Sequence, residues 1–288
     1  MIYMKEMNNK NNIDKSLRAN TKNSRVATSI IQSLRTEQGK NKMWVIVEGE
    51  EDEKVYGKFI TSNCIVKVCA EKEDGKKGHE IVCEVVNTVL DKSDKIIGIC
   101  DRDYRKYTNI YSDVSNIFYT DYRDLEMMIL ADDDIKIYLN ENTKSQFNES
   151  YNKIEELARY IGYIRIYNDV NRLFIIFHNK LKVGLYWDYT KQCVKEDAKN
   201  NILKVLELDE DKLDSFIEQY KLNNEHSCNI IRGHDMTKLL KLALVRNEYT
   251  KHIDDIYNVY KINHFSKTKL YEDINSFADV NNSESIFQ

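Results

Sequence analysis

The sequence predicts an α/β domain with a mostly parallel sheet, followed by a mainly helical region. Three observations predict it. Short unbroken apolar runs recur between residues 42 and 140: MWVIV, CIVKVC, KIIGIC and NIFYT. Stretches with helical spacing fall between most of them, the alternation expected of a parallel sheet covered on both faces. Beyond Asn140 the apolar residues fall at intervals of three and four instead, as on amphipathic helices.

The elements follow in order. Ser16 to Gln38 reads as a helix, with Val26, Ile30, Ile31 and Leu34 on one face and Gly39 closing it. Residues 1–41 form a basic arm and helix; up to Lys42 there are nine Lys/Arg against Glu6, Asp14 and Glu37. Such an arm either seeks phosphates or is a solvated helix face. From Lys42 the rhythm changes. MWVIV is a first strand, Glu50 to Ile60 a helix, and Cys64–Cys69 a second strand. The loop EKEDGKKG leads to the helical stretch His79–Leu90, then Lys95–Cys100 is a third strand. A polar loop from Asp101, a fourth strand at Asn116–Thr120 and one helix running to about Leu139 close a Rossmann-like domain over 42–140.

Residues 141–288 form a mainly helical domain. Ile154, Leu157, Ala158, Ile161 and Ile164 mark one helix; Met236, Leu239, Leu240, Ala243 and Leu244 mark another. RLFIIFHNKL and VGLYW are ambiguous short runs that leave room for a strand or two. The tail after Phe265 is polar and expected to be loosely held.

Composition narrows the function classes. A chain of 288 residues has ample core for one large domain or two modest ones. Its net charge of −4 advertises no global field for nucleic acid, and it contains no proline. No apolar run reaches the roughly 18–20 residues of a membrane span, and residues 1–42 lack the apolar segment of a signal peptide. Six cysteines show no CxxC or zinc-like spacing, and several sit inside apolar runs. Reduced buried thiols, a cytoplasmic location and no membrane partner are the expectation. His79, His178, His226, His252 and His264 show no ligand spacing.

Two strand ends carry unexpected acids. WVIV runs into Glu48 and Gly49, and IIGIC runs into Asp101 and Asp103. In open α/β sheets, functional groups collect at the carboxyl ends of the strands, near the point where strand order reverses. On an extended segment Asp101 and Asp103 project to one side, so neighbouring strands would bring three carboxylates together. Like charges that close resist joint ionisation unless a cation offsets them. All-oxygen ligation suits Mg²⁺ or Mn²⁺, which stabilise a phosphoryl transition state and activate water. The plainer alternative is that such acids only start helices, as Glu50, Glu51 and Asp52 do by position.

Beside the acids, DRDYRKYTNIYSD interleaves Arg102, Arg105 and Lys106 with Tyr104, Tyr107 and Tyr111. Cations for phosphates and rings for bases fit a flexible or single-stranded nucleic acid. Lys76 and Lys77, in the loop after the second strand, would add to that surface. The alternative for each is a solvated polar loop.

VEGEEDEKVY, followed some fifty residues later by IIGICDRDY, resembles the TOPRIM domain shared by topoisomerases, primases and OLD-type nucleases. The resemblance implies Glu48 as general acid/base or a further metal ligand, and Asp101 and Asp103 as metal ligands. TDYRDLEMMIL and RGHDMTKLL are similar to the DUF4435 branch, which includes the TOPRIM effector of PARIS-type anti-phage defence, partnered with an ABC-type ATPase. By that likeness Glu126 is a further metal ligand, the alternative being a surface-facing helix residue, and His234 is a substrate contact beside Asp235, whose ordinary role at a helix start is capping.

These readings converge on a metal-dependent nuclease acting on DNA or RNA, tRNA included, as the toxic effector of a phage-defence system. The helical half would supply substrate selection, homodimer formation or docking to an OLD-like ATPase. The chain itself has no GxxxxGK[ST] loop. A DxD-type small-molecule phosphohydrolase, with Asp101 as nucleophile, and a non-catalytic TOPRIM binding module are the alternatives.

Overall fold

Each apolar run of the first half becomes a strand in the computed structural model, which describes residues 26–69, 78–244, 247–281 and 285–288. Strands β1 (Met43–Val47), β2 (Cys64–Val68), β3 (Ile96–Cys100) and β4 (Ile117–Tyr119) form one sheet in the order β2-β1-β3-β4, every pairing parallel. The two central strands are buried along their whole length, whereas β2 and β4 are only partly so. That is why MWVIV and IIGIC read as continuous apolar runs rather than alternating ones. Burying each such aliphatic side chain contributes about 1.5–3 kcal/mol. The helix Gly78–Leu90 turns Ile81, Val82, Val85, Val86 and Val89 into the core, where they join Trp44, Ile46 and Ile96.

Contacts divide the described chain into two units. The first holds the residues up to Asp101, Ser112–Thr120 and those from Lys261 on; the second holds Arg102–Tyr111 and Asp121–Tyr260. This division differs from the expected ranges 42–140 and 141–288. The fourth strand belongs to the sheet, but the segments on either side of it belong to the helical unit.

The first unit corrects three details. The helix expected over Ser16–Gln38 is described from residue 26 and ends at 33. Thr36 Oγ1 donates to the Ser33 carbonyl at 2.8 Å and accepts the Gly39 N–H at 2.9 Å, a side-chain turn that competes with helix continuation. The basic arm before it lies outside the described residues. The helix after β1 stops at Tyr56, before Gly57, rather than reaching Ile60. The tail after Phe265 is not loose. Lys269–Val280 is a helix burying Leu270, Ile274 and Ala278, and Ile286 and Phe287 are buried beyond it. Phe265 stacks on Phe59 and meets Tyr56 and Phe287 edge-on, so aromatic burial holds the terminus in place.

The second unit is mainly helical, as expected. Its longest helix, Gln146–Asn171, buries Ile154, Leu157, Ala158, Ile161 and Ile164. A two-stranded antiparallel ribbon pairs β5 (Trp187–Asp188) with β6 (Cys193–Val194), but of the two ambiguous runs only Trp187 joins it: Phe177–Lys180 is a short helix and Val183–Tyr186 a 3-10 turn. The single helix expected to reach Leu139 is two, Leu125–Ala131 and Asp133–Asn142. Asp132 leaves the helical conformation and caps the second, its carboxylate accepting the Asp134 and Ile135 N–H groups.

Gly162, mid-helix in Gln146–Asn171, marks a close approach: a Cβ there would strike the Ile230 carbonyl and lie 2.7 Å from Ile230 Cγ2. In an open helix interior Gly→Ala stabilises by about 1 kcal/mol. Here the sign reverses. Gly162→Ala is expected to destabilise by about 1–3 kcal/mol, read as a lower urea midpoint at unchanged slope.

Candidate active site

Within the first unit, β1 and β3 are neighbours in register, Val47 opposite Ile99, so Glu48 and Asp101 emerge from adjacent parallel strands at their carboxyl ends. Strand order reverses between these two strands, the position where α/β sheets place their sites. The Asp101 backbone N–H donates to Glu48 Oε1 at 3.0 Å. The helix Gly78–Leu90 begins against the same side chain: a Cβ on Gly78 would lie 2.6 Å from Glu48 Oε2. Glycine therefore lets the positive end of a 13-residue helix approach the carboxylate. Two backbone features thus favour a charged Glu48.

Its acidic neighbours in sequence do something else. Glu50, Glu51, Asp52 and Glu53 occupy the first turn of Glu50–Tyr56, and Asp52 Oδ2 accepts the Gly49 N–H at 2.9 Å. They start the helix; Glu48 stands apart, reaching towards the next strand.

The second unit holds the other predicted residues. Asp103 is not on an extended segment: its φ is 48°, a left-handed turn that Asp tolerates better than most residues. Strand alternation therefore does not orient it. Its N–H donates to the Arg123 carbonyl at 2.7 Å, and its carboxylate pairs with Arg123 at 3.2 Å and Arg105 at 3.8 Å. Two guanidinium groups offset its charge. Glu126, in the first turn of Leu125–Ala131, is half-buried and accepts a hydrogen bond from the Tyr257 hydroxyl at 3.0 Å.

The cationic loop is less open than its composition implies. Arg105 is only 4% exposed and donates to the Ile110 carbonyl at 3.1 Å. Tyr104 is buried, its hydroxyl donating to the Ile230 carbonyl at 3.0 Å and its ring carrying the Arg123 guanidinium at 4.5 Å. Lys106 is exposed and pairs with Glu225, Arg102 is half-buried, and Tyr111 is exposed. Lys76 and Lys77 lie outside the described residues. His234 is exposed in the first turn of Gly233–Ala243. Asp235 is not a cap there: it is buried and grips Arg165 with both oxygens, at 2.8 and 3.2 Å.

Sequence reasoning missed Arg123, Asp124 and Arg165. Arg123 and Asp124 are adjacent in TDYRDLEMM just before an apolar helix, which is a readable cap signal. No local signal announces Arg165, whose partner is 70 residues away.

All six cysteines are free, and burial pushes the Cys69 and Cys228 thiols up to about 12, which leaves them weak nucleophiles. No helix among the described residues is long and apolar enough to cross a membrane. Neither a family model nor a curated protein matches this chain.

Proposed function

We propose that the chain is a divalent-metal-dependent hydrolase of phosphodiester bonds in nucleic acid, a TOPRIM-like nuclease. The supporting observation is the joining of Glu48 to Asp101 across adjacent strand ends, where the sheet order reverses. Glu48 is the general base: it takes the proton of the attacking water as the water oxygen bonds to phosphorus and the bond to the leaving oxygen breaks. The Asp101 N–H holds its carboxylate in one orientation. The donors present are carboxylate oxygens, which suit Mg²⁺ or Mn²⁺ rather than a thiolate-binding metal. Asp101 would hold the ion, and the ion would supply charge stabilisation at the phosphoryl group.

A second reading has its own support. Asp103 paired with two arginines and Glu126 held by Tyr257 are already satisfied without a cation, as in a binding module that keeps its acids for structure. In either case the helical unit is the proposed docking face for an ATPase partner or a second copy in a phage-defence complex.

The test is cleavage of single-stranded DNA, duplex DNA, total RNA and tRNA with Mg²⁺, Mn²⁺ or EDTA. Cutting in one substrate class, lost in EDTA and restored by metal, is the expected result. Cutting that persists in EDTA would refute metal dependence. No cutting in any lane, alone or with lysate supplying a partner, would favour the binding module.

A further inference from the structure

The helical unit contains a cavity of about 460 Å³, of whose lining only His234 is expected above to touch substrate. Arg165, Phe177, Lys182, Arg232, His234 and Lys238 line it. Three segments build it. The helix Gln146–Asn171 brings Arg165, the stretch from Phe177 to Gly184 brings Phe177 and Lys182, and Gly233–Ala243 opens into it with Arg232 just before its start.

Its electrostatics are one-sided. Four permanent cations face one carboxylate, Asp235, and that carboxylate is already engaged by Arg165. The two-pronged pair, with the Arg165 guanidinium 4.4 Å from the Phe177 ring centre, fixes the floor of the cavity. Lys182, Arg232 and Lys238 have no carboxylate within ion-pair distance among the described residues. Burial, then Lys238 and Arg232, hold the His234 imidazole below its usual range, so these charges act together on the cavity wall. The helix dipole adds positive potential at the same end. Gathering like charges around a concavity is unfavourable unless an anion offsets them.

We propose that this cavity binds a phosphomonoester dianion of about mononucleotide size. Its volume falls within the roughly 300–1,000 Å³ of small-ligand pockets, more than a bare phosphate fills. Arg232 and Lys238 supply charge-assisted hydrogen bonds to the phosphate oxygens, and Phe177 with Leu181 supplies apolar wall for the attached group. The phosphate comes either from a free nucleotide or from the 5′ end of an oligonucleotide. The proposal does not depend on hydrolysis at the sheet ends, since a nucleotide would bind here whatever Glu48 and Asp101 do.

The experiment is calorimetric titration of the full chain, at about 0.15 M salt where exposed charges are screened beyond about 8 Å. The probes are inorganic phosphate, AMP, adenosine, and one oligonucleotide with and without a 5′-phosphate, without added metal. The wild type is compared with the Arg232→Gln/Lys238→Gln double variant, whose melting temperature checks that it folds. AMP binding without adenosine binding, weakened at least about tenfold in the double variant, is expected. A 5′-phosphate that tightens the oligonucleotide beyond AMP would name the strand end as the source; AMP tighter than either oligonucleotide would name the free nucleotide. Adenosine binding as well as AMP, unchanged affinity in a folded double variant, or no binding of any phosphate probe would each overturn the proposal.

Discussion

Glu48→Gln is expected to lower metal-dependent cleavage by about 10²–10⁴-fold, the range for losing a general base, with the fold intact. Glutamine keeps the shape of the side chain and one acceptor oxygen. Its carbonyl oxygen accepts the Asp101 N–H as Glu48 Oε1 does now at 3.0 Å, and its size matches the space left by Gly78. The capacity to take a proton and carry a charge is lost, and Oε2, beside the start of the helix Gly78–Leu90, becomes an amide nitrogen that donates rather than accepts. Glu48→Ala is a poorer probe, because it removes the acceptor of the Asp101 N–H as well as the base. Paired measurements separate these effects: cleavage rate at saturating Mg²⁺ and melting temperature for both variants. A glutamine variant that cuts at wild-type rate would remove Glu48 from the chemistry. One that loses activity together with its melting transition would say that the charge is structural, held between the Asp101 N–H and the start of the helix Gly78–Leu90.

Glu48 also shows what was legible in the sequence. An apolar strand that ends in an acid and a glycine cannot be explained by burial alone, and a second such strand end fifty residues on points to one sheet edge. The pairing of β1 with β3 was needed to join them, and pairing partners are not written locally. Asp103 marks the limit. Spacing of two suggested a common side, but that inference needs extended backbone, and the chain turns left-handed at Asp103. Of the partners that hold it there, Arg105 reads as a surface cation in sequence although it is buried, and Arg123 was missed. Burial of Tyr104 against Ile230, 126 residues away, is hidden for the same reason. Other misses were readable. The three aspartates of ADDDIK announce a cap, and Leu270, Ile274, Phe277 and Ala278 carry the spacing of a buried helix in a tail that composition alone made look loose.

Asp124→Ala is expected to destabilise the helical unit by about 3–5 kcal/mol, the range for breaking a buried ion pair on one side. Asp124 is only 3% exposed and serves three partners. It caps Leu125–Ala131 by accepting the Met127 N–H at 3.0 Å, accepts the Gly233 N–H at 2.9 Å, and pairs with Arg123. Its removal leaves one helix uncapped and the first N–H of Gly233–Ala243 without that acceptor. Arg123 retains Asp103 at 3.2 Å and the face of Tyr104, which limits the loss to one of its two carboxylates. Asp124→Asn separates the contributions. It keeps Oδ1 for the Met127 cap, removes the charge and turns Oδ2, the acceptor of the Gly233 N–H, into a donating amide nitrogen, and is expected to cost about 1–3 kcal/mol, the range for a buried donor left without its acceptor. Since whole-domain stabilities are about 5–15 kcal/mol, the alanine variant should lose a large part of its denaturation midpoint and the asparagine variant a smaller part. Equal midpoints for the two would mean that the carboxylate charge, rather than the cap, carries the stability. A midpoint for Asp124→Ala close to wild type would mean that the two helix starts are held by packing alone. The ordering matters for the candidate residues as well, because the cap that fixes Leu125–Ala131 also fixes Glu126, the chain neighbour of Met127, and the bond from the Gly233 N–H fixes the start of the helix that carries His234.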